Sequence, residues 1–104
     1  MASGRLATLN ITNSATDLLL YTVPNNITTS FSVCITNRNA TPVTVRLALT
    51  GGATILDADY VAYEVTIYGH EVYERSGFVL AQGQFVYVRS SATSVNAVVY
   101  GYEE

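Results

Sequence analysis

The sequence predicts an all-β protein: a single-domain antiparallel β-sandwich, jelly-roll or immunoglobulin-like, with about eight strands. Three observations lead there. Apolar residues recur at every second position over several segments, the period of a half-buried strand. Turn formers (Gly, Asn, Pro, Ser) separate those segments at a spacing of roughly eight to twelve residues. The composition is 49% hydrophobic and only 12% charged, with eight tyrosines, and it leans on Val, Thr and Tyr, which suit a pleated surface. At 104 residues the chain is one domain, residues 1–104. It is long enough to bury roughly two-thirds of its unfolded surface without disulfides or metal.

The elements follow in order. Leu6 to Thr12 and Asp17 to Val23 read as strands around the turn-prone Asn13-Ser14-Ala15-Thr16; residues 1–12 are an N-terminal arm or an edge strand. Residues 27–37 place Ile27, Thr29, Phe31, Val33 and Ile35 on one face. The cluster Asn37-Arg38-Asn39-Ala40-Thr41-Pro42 then leads into residues 42–50, with Val43, Val45, Leu47 and Leu49 on one face. Two period-two runs joined by turn formers predict a β-hairpin. Gly51-Gly52 ends it, and 53–59 is a loop with one helical turn. Tyr60 to Tyr68 aligns Val61, Tyr63, Val65 and Ile67, until Gly69-His70 breaks the pattern. Val72 to Leu80, Phe85 to Ser90 and Val95 to Tyr102 complete the set, linked by Gln82-Gly83 and by the polar Ser91 to Ser94.

Charge narrows the function. The net charge is −3, and the five cations, all arginine, are scattered along the chain. No basic stripe exists to neutralise phosphates, so no nucleic-acid partner is expected. A surface this poor in charge suits burial against other subunits. Cys34 is the only cysteine, which excludes an intramolecular disulfide; on the face opposite Phe31 and Val33 it reads as a small, half-buried hydrophobe. The first residues lack the apolar core of a signal peptide, and no run approaches the roughly 20 apolar residues of a membrane helix. The expectation is a chain made in a cytoplasm, with no membrane partner.

Candidate chemistry is thin. His70, with Glu71 and Glu74 nearby, offers too few ligands for a zinc site. Ser76, His70 and Asp59 can be assembled into a triad only on paper, because no serine has a glycine-flanked elbow. Asp57 and Asp59 lack a pocket to split their pKa values. The sequence therefore predicts no enzyme, no catalytic residue, no metal and no cofactor. The tyrosines remain. Tyr60, Tyr63, Tyr68, Tyr73, Tyr87, Tyr100 and Tyr102 all fall in the second half, and side chains with an apolar body and a polar tip suit a subunit interface. They form the candidate interface; the alternative is a sugar-binding platform.

Several segments carry a resemblance. Leu20-Tyr21-Thr22-Val23-Pro24, Cys34-Ile35-Thr36-Asn37-Arg38-Asn39 and Val43-Thr44-Val45-Arg46-Leu47-Ala48 resemble a small virion protein of tailed bacteriophages, cyanophages included. So do Leu80-Ala81-Gln82-Gly83-Gln84-Phe85-Val86-Tyr87-Val88-Arg89-Ser90-Ser91 and the closing Val98-Val99-Tyr100-Gly101-Tyr102-Glu103-Glu104. The resemblance runs from Leu20 onward and implies a β-sandwich built into the virion, made and assembled in the bacterial host cytoplasm. It implies a head decoration or cement protein, or alternatively a tail, baseplate or fibre component that binds a host surface glycan. The expected partners are the major capsid protein or tail proteins, together with copies of the chain itself. Closed cyclic assembly favours a homotrimer, and residues 1–12 could add to a neighbour's sheet.

Overall fold

The computed structural model describes residues 2–104. Its strands are β1 (Ser3–Ile11), β2 (Leu18–Thr22), β3 (Thr29–Asn37), β4 (Val43–Thr50), β5 (Tyr60–Ile67), β6 (Val72–Leu80), β7 (Phe85–Ser90) and β8 (Val95–Glu103). One turn of 3-10 helix, Asp57–Asp59, precedes β5. Every expected strand is present. β1 begins three residues earlier than its alternation suggested, and β3 begins at Thr29.

The strands form two four-stranded sheets, ordered β1-β8-β3-β6 (sheet A) and β2-β7-β4-β5 (sheet B). All pairings are antiparallel, and β1–β8, β2–β7, β3–β6 and β4–β5 nest inside one another like a single long hairpin folded over on itself. The β3–β8 and β4–β7 pairings then close each sheet. This is the jelly-roll form of the sandwich. Its consequence is that β4 and β5 are the only consecutive strands that pair.

The predicted hairpin between 27–37 and 42–50 is therefore not formed. β3 lies in sheet A and β4 in sheet B. A tight hairpin needs a short turn matched to the strand twist, whereas Arg38 to Pro42 is long enough to arch across the roughly 10 Å between sheets. Burial favours the arch. Phe31, Val33 and Ile35 of β3 and Val43, Val45 and Leu47 of β4 are all buried in one cluster. Placed in opposite sheets, each apolar face covers the other.

Inward positions alternate strictly along β3, β7 and the first part of β8. β5 departs from the expected alternation because its register with β4 shifts twice, and Glu64 takes a left-handed φ of 51°. The bulge turns Ala62 and Ile67 inward and leaves Tyr63 exposed. Val61, Tyr63, Val65 and Ile67 thus do not share a face. β1 is an edge strand paired with β8, and Ile11 is buried, with Ala7 and Leu9 packed on the core. Its removal would leave the outer edge of β8 without its backbone partner. Gly101 is required by contact: a Cβ there would sit 2.1 Å from the Ser30 carbonyl oxygen.

Asn37 fastens the arch. Its side chain is fully buried, and Nδ2 is the donor toward the carbonyls of Thr41, Ile67 and Tyr68 at 2.9, 3.0 and 3.2 Å. Oδ1 accepts from the Asn39 backbone N–H at 2.9 Å. One amide thus ties the β3–β4 and β5–β6 connections together. Replacement by aspartate would set a carboxylate against the same three carbonyls. Asn37→Asp should lower unfolding free energy by about 3 kcal/mol, the cost of stranding buried polar groups, as read from urea denaturation.

Candidate functional site

Two outer faces and the two ends of the sandwich carry the polar and aromatic side chains. On the outside of sheet B, Arg46 of β4 lies 4.4 Å from the centroid of the Tyr63 ring, and Tyr63 meets Tyr60 edge-on at 5.0 Å. Nε of Arg46 donates to Glu64 Oε2 at 3.0 Å. That hydrogen bond is the main reason the guanidinium is held above its ordinary pKa. The β5 bulge makes this cluster, because it swings Tyr63 and Glu64 together onto the Arg46 side. Arg89 is the direct cross-strand neighbour of Arg46, an unfavourable like-charge pairing on its own, and it faces Asp17 at 3.8 Å. Tyr87 donates to the Ala53 carbonyl at 3.3 Å, and the Thr50 hydroxyl donates to that of Gly52 at 2.6 Å. The 51–59 loop is thereby laid along this face, where Ala48 and Thr50 are buried.

The outside of sheet A is different. Register places Tyr102, Ser30 and Val79 in one row, then Tyr100 with Ser32, then Val98, Cys34 and Glu74, then Asn96, Thr36 and Val72. Tyr100 donates to Glu74 Oε2, and chiefly for that reason its hydroxyl is held above the usual pKa. Cys34 is half-buried; burial pushes its thiol up first, and the Glu74 charge adds to that. A shallow groove of about 360 Å³ runs between Tyr100, Tyr102 and Val79, floored by Gly77 and Gly101. At the end of this face, Arg38 is held by Asn96 Oδ1 at 3.2 Å and by Asn10 Oδ1.

The seven candidate tyrosines therefore do not make one patch. Tyr60, Tyr63 and Tyr87 belong to sheet B, and Tyr100 and Tyr102 to sheet A. Tyr73 packs against the core beside Arg75 at the β6 edge. Tyr68 is exposed in the β5–β6 connection. Sequence alone placed all seven together because linear clustering says nothing about which sheet a strand joins.

The tyrosine outside that set, Tyr21, has the most structured environment. It is buried, its ring lies 6.2 Å from Phe31, and its hydroxyl donates to Glu103 Oε2 at 2.5 Å while accepting from Thr29 Oγ1 at 2.9 Å. Burial first, and Glu103 second, push its pKa up to about 12. Glu103, at the end of the last strand, is thus an inward latch between β8 and β2. Its place in the alternation, two residues beyond Gly101, was the available signal.

The remaining candidates stay apart. His70 lies in the β5–β6 connection, where its N–H donates to the Asn39 carbonyl at 3.0 Å. Asp59 precedes the opposite end of β5, a strand roughly 25 Å long, and its carboxylate accepts from the Leu56 N–H at 2.8 Å. No triad with Ser76 is assembled. Among the described residues no three His, Cys, Asp or Glu side chains converge as a metal site, and no helix is long and apolar enough to cross a membrane. Comparison with protein-family models, with curated proteins and with solved structures gave no match.

The Tyr21 latch has a pH signature. A tyrosine whose folded pKa exceeds its unfolded value near 10 adds stability that is complete below pH 10 and lost as pH rises toward 12. Denaturation midpoints measured across that range should fall for the wild type. Tyr21→Phe should cost about 1–2 kcal/mol at neutral pH and flatten the alkaline decline.

Proposed function

We propose that this chain is a structural protein of a phage virion, acting as a head decoration or cement subunit. The observation that carries the reading is the outer surface: Tyr63, Tyr102, Val72, Val79 and Leu19 are each about half or more exposed on a sandwich whose own core is already complete. Large apolar and tyrosine side chains left outside a finished core mark surfaces that gain free energy from a neighbour. The resemblance of the segments from Leu20 onward to small phage virion proteins points the same way. The mechanism is mechanical. Copies bury tyrosine and aliphatic surface against one another and against the major capsid protein, and the rigid jelly roll transmits load across the junction.

A second reading keeps the virion and moves the chain to the tail, baseplate or fibre. What favours it is the sheet A groove, where Tyr100 and Tyr102 stand beside the hydroxyl-bearing Ser30 and Ser32. Aromatic faces next to hydroxyl groups suit a sugar ring.

Immunogold labelling of purified virions with an antibody against this chain separates the readings. Gold over the whole head is the expected result. Gold confined to the tail transfers the chain to the adsorption apparatus, and virions free of label remove it from the particle.

A further inference from the structure

The two outer faces differ in what they leave unsatisfied. Sheet B carries four charges, in the pairs Arg46–Glu64 and Arg89–Asp17, and the 51–59 loop already lies along it. Between its two ends the outer face of sheet A carries one charge, Glu74 on edge strand β6, and its carboxylate takes the Tyr100 hydroxyl. Around it stand Val79, Val72 and Tyr102, exposed by 61%, 54% and 49%, with Val98 and Cys34 between. Its arginines sit at the margins: Arg38 beside Asn10 and Asn96, Arg5 near the start of β1, and Arg75 on edge strand β6, turned toward the Val61 carbonyl.

We propose that the outer face of sheet A is a two-fold self-association surface, covered by the same face of a second copy. This deepens the assembly reading above by naming the face and the partner. Three features select a second copy as the occupant. A face with one charge, already bonded to its own Tyr100 hydroxyl, offers little field for a strongly basic or acidic partner to complement. The molecule measures 41 by 28 by 21 Å, so a sheet face is on the order of 800 Å², the share each partner contributes to a standard interface. The relief is also complementary to itself. The groove lies at the Val79 end of β6 and the exposed Val72 at the other end, so a two-fold axis lying between the two faces and perpendicular to the strands, near Ser32, carries each Val72 end over the other copy's groove. Face-to-face sheets pack in this way when aligned.

The pair is an alternative to the three-fold ring expected from sequence. A ring needs two different complementary patches on each subunit, and sheet B has already used its outer side for the loop and the ion pairs.

Cys34 is a built-in reporter, being the one thiol and central on the face. The experiment measures mass by light scattering, and Cys34 alkylation rate by iodoacetamide, across a dilution series of wild type, Val79→Arg and Thr66→Arg. The expected result is a dimer at tens of micromolar with alkylation slowed in step with its population. Val79→Arg should raise the dissociation constant by more than about a hundredfold, by closing an unpaired charge against the other copy's Val72, and Thr66→Arg, on the outer side of sheet B, should leave it unchanged. Circular dichroism confirms that each variant is folded. A wild-type monomer at all concentrations overturns both self-assembly and this face. An oligomer insensitive to Val79→Arg, or one in which Cys34 alkylates at the monomer rate, overturns the face while leaving self-assembly standing. Slowed alkylation of a monomer by added oligosaccharide assigns the groove to glycan and overturns the pair.

Discussion

The fold depends on one buried layer, where Phe31, Val33 and Ile35 from sheet A meet Val43, Val45 and Leu47 from sheet B. Neither strand can bury its apolar face within its own sheet, because cross-strand neighbours lie beside a residue and not over it. Facing each other, the two strands exclude water from both sides at once. That requirement sends the chain across the sandwich after β3, and the remaining strands nest around the crossing. The wound topology is a consequence of covering β3 with β4.

A chain that crosses between sheets at nearly every connection exposes its loops in two groups, and polar side chains must hold them. Asn37 does so at one end by saturating carbonyls from two connections. Tyr21, Thr29 and Glu103 do so at the other, where the end of β8 meets β2 and β3. Both devices place polar groups in dry surroundings and satisfy them completely, the condition under which a buried polar network favours a unique structure. Among the described residues no buried side-chain nitrogen or oxygen lacks a partner.

Edge strands tell the same story from outside. β5 is bulged at Glu64, and β6 turns at Gly77, with φ of 84°; β2 is short and shifts register near Leu20. Such interruptions keep edges from pairing with stray chains. Of the two faces, that of sheet A carries a single charge between its ends, Glu74, against the two ion pairs of sheet B. The same bulge in β5 assembles Arg46, Tyr63 and Glu64 on sheet B, so one backbone irregularity both guards an edge and gives the two faces different characters.

The sequence by itself determined the fold class, the strand count, the inward face of β3 and the outward position of Cys34. All of these follow from side-chain period, and a period of two is a property of the strand alone. Partner choice was decided only by the tertiary structure. Alternation in 27–37 and 42–50 is identical whether the strands pair edge to edge or pack face to face, so the predicted hairpin became an arch. The seven tyrosines, neighbours in the chain, were divided between faces because strand order is set by long-range burial. Bulges moved Tyr63 away from Val65 by shifting register, an event that leaves no periodic trace. The Glu103 latch leaves no local trace of its partner, because Tyr21 stands 82 residues away and meets it only when β8 and β2 are brought together.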